Sequence, residues 1–179
     1  MKKISHLFAA IAFFILSISP VPGFAFDVNV VQGNATVSSN GNTVTVTATG
    51  KAILQGNTSI PAGVTVDVVQ GINDILLRDT TGNMTSILGS LLSNGNIILI
   101  NAMGVYIGQS ANINVGGLMA STLDMQNQLF MSGNYQFEKI PGLDPAEILN
   151  EANINITKGG YLILLADRIV NKGTITAYM

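Results

Sequence analysis

Short apolar runs separated by Asn and Gly set the pattern of this chain. Thr43-Val44-Thr45-Val46-Thr47 and Val64-Thr65-Val66-Asp67-Val68 alternate with period two, which predicts strands with one buried face. Ile97-Ile98-Leu99-Ile100 and Tyr161-Leu162-Ile163-Leu164-Leu165 are unbroken apolar runs of strand length, the pattern of strands covered on both sides. Between the runs lie Asn40-Gly41, Gly56-Asn57, Gly82-Asn83, Asn94-Gly95-Asn96, Gly116-Gly117, Gly133-Asn134 and Gly159-Gly160. Gly and Asn tolerate the backbone conformations of turns, so these pairs punctuate an all-β chain. Helical pattern is scarce. Asp144 as N-cap with Pro145 at the first position predicts little more than one turn over Asp144–Leu149, and Thr85–Leu92 is ambiguous.

An internal repeat points to the architecture. Ala111-Asn112-Ile113-Asn114-Val115 recurs as Ala152-Asn153-Ile154-Asn155-Ile156, 41 residues later, and Ile175 follows Ile154 by 21. Read as two coils and one, these offsets give a unit of 20–21 residues. A unit of that size cannot bury its own apolar face, so stacked copies must share a core. Three short strands per coil describe a parallel β-helix, with apolar ladders inside and Asn amides stacked at turns. About seven coils would fit after residue 25. The competing architecture is a β-sandwich whose similar strands match by chance.

The amino terminus has a different character. Met1-Lys2-Lys3 is followed by the apolar run Leu7–Ile18, the breakers Ser19-Pro20-Val21-Pro22, and Gly23-Phe24-Ala25 with small residues at −3 and −1. This predicts a signal peptide over 1–25, cut after Ala25 and delivered by the Sec machinery. The run is shorter than the ~20 residues a membrane-spanning helix needs, which argues against an uncleaved anchor. Residues 26–179 then form one domain, with six Lys and Arg against ten Asp and Glu, a formal charge of −4. That balance gives no electrostatic footprint for nucleic acid.

The only histidine, His6, falls within the leader, and there is no Cys. An exported chain without Cys must be held by burial and backbone pairing rather than disulfides. Ser-His-Asp and Cys-His catalysis lack their base, and zinc lacks its usual ligands. The ten acids are scattered beside Gly, Asn, Pro or Thr, where carboxylates bond their own backbone. No Asp-x-Asp-x-Asp-Gly calcium loop occurs. No catalytic residue, metal site or cofactor is expected.

Ser93-Asn94-Gly95-Asn96-Ile97-Ile98-Leu99-Ile100-Asn101-Ala102-Met103-Gly104-Val105-Tyr106-Ile107-Gly108 resembles the "ANGxVxLINPNGIxxG" stretch of the two-partner secretion domain. That domain opens filamentous haemagglutinin-like exoproteins and is also called the haemagglutination activity domain. The segment runs into Ala111-Asn112-Ile113-Asn114-Val115-Gly116-Gly117-Leu118-Met119-Ala120-Ser121-Thr122-Leu123-Asp124, similar to "AxVNVGGLxASTLD". Leu77-Arg78-Asp79-Thr80-Thr81-Gly82, Phe130–Phe137 and Gly159–Ala177 match further motifs in the family's order, so the resemblance covers about residues 30–177. One turn departs from it: Asn-Pro-Asn-Gly reads Asn101-Ala102-Met103-Gly104, without the proline that pre-sets φ.

The resemblance implies a right-handed β-helix with an N-terminal β cap. It also implies recognition in the periplasm by the periplasmic domains of a partner outer-membrane β-barrel transporter, with β-helix folding nucleated outside a Gram-negative cell. Asn101 and Gly104 would form the recognition turn, with Leu118, Ala120, Ser121, Thr122 and Leu123 beside them. The protein would end secreted or on the cell surface, as the N-terminal part of a longer adhesin-like exoprotein. Two other functions compete. One is direct adhesion to a glycan or surface, for which Phe130, Tyr135 and Phe137 are the only clustered aromatics; a core or cap plug is the plainer use of them. The other, more remote, is a β-helix polysaccharide-degrading enzyme, for which Asp167-Arg168 is the sole adjacent acid–base pair late in the chain.

Overall fold

The computed structural model describes residues 26–178. The expected signal peptide over 1–25 and its expected cleavage residue Ala25 lie outside them. A long hairpin comes first: β1 (Asp27–Asn40) runs antiparallel to β2 (Thr43–Asn57) about the Asn40-Gly41 turn. After it come β3 (Thr65–Val69), β4 (Asp74–Asp79), β5 (Thr85–Ile87), β6 (Ser90–Ser93) and β7 (Asn96–Ile100). Then follow β8 (Val105–Ile107), β9 (Asn112–Val115), β10 (Gly117–Ser121) and a short helix α1 (Asn127–Ser132). The last coils comprise β11 (Glu147–Asn150), β12 (Asn153–Ile156), β13 (Leu162–Leu165), β14 (Arg168–Asn171) and β15 (Thr174–Ala177).

These strands stack as parallel rungs on three faces. Sheet I is β2-β3-β6-β9-β12-β15, sheet II is β2-β4-β7-β10-β13 and sheet III is β5-β8-β11-β14. Strand β2 serves two sheets, pairing with β3 through Thr43–Thr47 and with β4 through Ala52–Gly56. Inside, Val44, Val66, Leu91, Ile113, Ile154 and Ile175 form one apolar ladder in sheet I. All but Ile175 are essentially inaccessible. Each such side chain contributes about 1.5–3 kcal/mol by leaving water. The expected amide ladder occurs once, where the buried Asn150 donates from Nδ2 to Oδ1 of the exposed Asn171 on the next coil at 2.7 Å.

The parallel β-helix and the N-terminal β cap agree with expectation. Strand β1 lies along the outer edge of β2 and is bulged between Val30 and Gln32 and between Gly33 and Ala35. Such bulges discourage further pairing on an exposed edge. Phe26 and Val28 reach into the core beneath it. At the other end, Ile163, Ile169 and Ile175 of the last coil are 38%, 45% and 38% exposed.

The coil count needs correcting. Asn112–Val115 pairs directly with Asn153–Ile156, so the 41-residue offset is one long coil, not two. An excursion between β10 and β11, containing α1, supplies the extra length, and sheet I has six rungs rather than seven among the described residues. The expected turn of helix at Asp144–Leu149 is also absent; Glu147–Asn150 is β11, drawn into extended form by pairing with β8 and β14. Thr85–Leu92 resolves into β5 and β6, separated by the Leu88-Gly89 corner.

The excursion folds back as a strap over the outside of sheet II. Phe130 is fully buried among Ile53, Leu76, Ile98, Ile100, Met119 and Met125, with Tyr135 and Phe137 packed alongside. Sheet II therefore has an apolar core on each side, which explains its unbroken apolar runs. The corner between sheets I and II is lined by glycines because successive turns touch there. A Cβ on Gly95 would sit 2.2 Å from the Gly71 carbonyl oxygen, and one on Gly160 only 1.6 Å from that of Gly116.

Candidate functional site

The corner between sheets II and III carries the turn singled out in the sequence. The chain leaves β7 at Ile100 and bends through Asn101-Ala102-Met103-Gly104 into β8. The Gly104 N–H donates to the Asn101 carbonyl at 3.0 Å, and the Met103 N–H donates to Asn101 Oδ1 at 2.8 Å. Asn101 is buried, and its Nδ2 donates to the Asn83 carbonyl at 2.8 Å and to Thr85 Oγ1 at 2.9 Å. The Asn side chain thus supplies the hold that a turn proline would otherwise share. Gly104 has φ of 111°, and a Cβ there would meet the Glu147 carbonyl oxygen at 2.9 Å. Both features require glycine.

Beneath this turn a polar column runs through earlier coils. Thr85 Oγ1 lies 2.8 Å from Thr58 Oγ1 and donates to Asp79 Oδ2 at 3.1 Å. Asp79 also accepts from the Thr58 N–H and hydroxyl, both at 2.9 Å, and from the Thr81 N–H and hydroxyl at 2.9 and 2.6 Å. Burial pushes the Asp79 carboxyl up, but the Thr81 and Thr58 donors outweigh it and hold it below the usual range.

Next to the column, Arg78 anchors the strap. Its Nε donates to Asp124 Oδ1 at 2.8 Å, its Nη1 to Asn127 Oδ1 at 2.6 Å and its Nη2 to the Met125 carbonyl. A second anchor is Lys51, 5.4 Å from the Phe130 ring centre and 4.9 Å from that of Tyr135, with Nζ 3.2 Å from the Phe130 carbonyl. The Tyr135 hydroxyl donates to Asp74; burial first, and then that carboxylate, push the phenol well up. Outside the turn, Met84, Ala102 and Met103 face the returning segment 142–147 across a groove of about 370 Å3. These polar groups mainly satisfy one another. No group of three or more His, Cys, Asp or Glu that could hold a metal occurs among the described residues.

Residues 25–178 match the family described as TPS secretion domain. The chain belongs to that family. Its structure is similar to the HMW1 secretion domain from Haemophilus influenzae, with a TM-score of 0.79 and 31% identity over 84% of this chain and 41% of that one. Two heme/hemopexin-binding proteins of Haemophilus influenzae are also similar. One, from strain Rd, is 34% identical over 105 residues, 56% of this chain and 12% of the relative; the other is 45% identical over 58 residues, 32% and 6%. The chain thus spans about an eighth or less of those relatives. The family is one of secretion domains of exported proteins, not of enzymes.

In this TPS secretion domain the seven residues expected at a recognition site divide into three groups. Asn101 and Gly104 build the turn. Ser121, Thr122 and Leu123 occupy the same corner one coil later: the Asn101 N–H donates to the Ser121 carbonyl at 2.9 Å, and Ser121 Oγ bonds both N–H and carbonyl of Leu123 at 2.9 Å. Leu118 and Ala120 point into the interior, away from that corner. Six of the seven have almost no exposed surface, Leu123 being half-buried. Sequence reasoning passed over Arg78, Asp79, Lys51 and the Thr58–Thr85 pair. Arg78 had a signal, as a lone cation ending the apolar run Ile75-Leu76-Leu77 of a motif already matched to the family. Asp79 and Asp124 accept from the nearby backbone N–H groups of Thr81 and Met125, as expected of acids in this chain, but they and Asp74 also bind residues far along the chain.

Proposed function

We propose that this chain is the secretion-targeting domain of an adhesin- or haemagglutinin-like exoprotein. A partner outer-membrane β-barrel transporter recognises it in the periplasm through periplasmic domains, and it nucleates β-helix folding outside the cell. In this reading residues 1–25 are a signal peptide handled by the Sec machinery and cut after Ala25. Residues 26–179 open a longer exoprotein, as the greater length of the relatives suggests, and the product is secreted or surface-held in a Gram-negative organism. The family match across 25–178 is the observation that carries the reading.

The architecture supports it physically. Each coil pairs in parallel with the one before, so a formed coil templates the next. A chain without Cys has no cross-link to hinder passage through a pore unfolded. Asn101 and Gly104 set the recognition turn, Ser121, Thr122 and Leu123 brace it from the next coil, and Leu118 and Ala120 support the brace from the core. Direct adhesion to glycans gains nothing here, because Phe130 and Tyr135 are engaged in holding the strap.

The test is export of the full chain in a Gram-negative host with and without its transporter, beside a chain lacking residues 93–124. Release into the medium should require both the transporter and the intact segment. Release without the transporter, or retention of the intact chain with it, would overturn the reading.

A further inference from the structure

We infer that Asn40 is a modification site, at which the folded domain loses a side-chain amide to water, and that the fold guards an identical sequence at Asn94 against the same reaction. The tetrapeptide Ser39-Asn40-Gly41-Asn42 recurs as Ser93-Asn94-Gly95-Asn96. One copy sits at the tip of the β1–β2 hairpin, the other at the glycine-lined corner between sheets I and II.

In the reaction the glycine backbone nitrogen attacks the side-chain carbonyl carbon of the asparagine before it. A C–N bond closes a five-membered succinimide, the attacking nitrogen gives up its proton, and the amide group leaves as ammonia. Water then opens the ring at either carbonyl, leaving Asp or isoaspartate. Asparagine and water thus become an acid and ammonia, with nothing oxidised or reduced. Glycine favours closure because it has no Cβ to obstruct the approach.

Both asparagines are exposed, so access to water does not separate them. Hydrogen bonding does. At the corner, the Gly95 N–H donates to Ser93 Oγ at 3.0 Å, which holds the nucleophile in place. Asn94 Oδ1 accepts from the Gln70 and Gly71 N–H groups of the preceding coil at 2.9 and 3.2 Å, which holds the carbon it would attack. The Gly95 carbonyl is bound in turn by the Gly117 N–H of the next coil at 3.2 Å. Ring closure would have to break this stack. At the hairpin tip, neither the Asn40 side chain nor the Gly41 N–H has a hydrogen-bond partner among the described residues, and a Cβ on Gly41 would meet nothing within 4 Å. The nearest tether falls on Asn42, whose Nδ2 donates to the Gly63 carbonyl at 3.3 Å.

The products have different consequences at the two places. At position 40 the new acid has open space, and residues 26–179 then carry eleven acids against six bases, moving the formal charge from −4 to −5. At 94 the isoaspartate branch would add a main-chain carbon where a Cβ on Gly95 would already lie 2.2 Å from the Gly71 carbonyl oxygen. The guarded copy is therefore the one whose change the coil stack could not absorb.

The experiment ages the purified full chain at mildly alkaline pH, folded and in denaturant, and follows both peptides by mass spectrometry with enzymatic isoaspartate detection. In the folded chain Asn40 should convert at least about tenfold faster than Asn94, because closure at 94 waits for the corner to open. In denaturant the two should convert alike. Ser93→Ala should raise conversion at Asn94 several-fold in a chain that stays protease-resistant. Equal rates in the folded chain, or a ratio in denaturant as large as in the folded chain, would overturn the inference.

Discussion

Sheets I and II stack the same kind of parallel rung around one interior, yet their outward positions are opposites. In sheet I the outward residues of β9 are Asn112 and Asn114, both exposed to water. In sheet II those of β7 include Ile98 and Ile100, buried beneath the strap with Phe130. The backbone does not distinguish them; the cover does. A solenoid strand reads as alternating where one face meets solvent and as continuous where a second layer lies outside. The second core is held by polar anchors, Arg78 and Lys51, that the first core does without.

This contrast can be broken at matched positions. Ile98→Asn buries an unpaired amide and removes a well-packed side chain, so it should cost about 3–5 kcal/mol in denaturant titration. Asn114→Val, at an outward position of sheet I, should stay within about 0.5 kcal/mol. Equal effects would mean that the strap does not cover sheet II in solution. Next in size, Arg78→Met removes three charge-assisted bonds between β4 and the strap. A loss of about 1.5–3 kcal/mol is expected, with protease cleavage appearing first within 126–142.

A pH titration sharpens the comparison further. Asp79 has its folded pKa depressed, so the fold favours its ionised form. That contribution is complete above the unfolded value near pH 4 and is lost as pH falls through the lower folded value. Asp79→Asn should therefore flatten the acid limb of stability below about pH 4. The smallest effect belongs to the solvent side: Lys172→Ala breaks a 3.0 Å pair with Glu151 that water screens, and its denaturation midpoint should match that of the unaltered chain.

Strands and corners were legible because apolar period and Gly-Asn punctuation act locally. Val44, Val66 and Ile113 lie inside as their alternation predicts, and Ile97–Ile100 is covered on both sides. Coil number was not legible, because a 41-residue spacing looks like two periods although Ile113 and Ile154 are adjacent rungs. Helix α1 left little trace, since its N-cap, Gln126, makes no side-chain capping bond; only Gly133, with φ of 79°, marks its end. At the site, Asn101 and Gly104 were found because a tight bend restricts residue type. The Arg78 and Lys51 anchors were not, since their partners on the strap, from Asp124 to Tyr135, lie 46 residues or more away in sequence.

The place where the excursion leaves and rejoins the solenoid has a consequence for engineering and for evolution. Strand β10 ends and β11 begins at a corner, and the rungs on either side keep their register whatever length lies between. Doubling a loop costs only about 0.6 kcal/mol of closure entropy. Coil length is therefore a free variable at this corner, whereas at the glycine-lined corner a single added carbon collides with the turn beneath. One edge of the same prism accepts grafted cargo, and another accepts none.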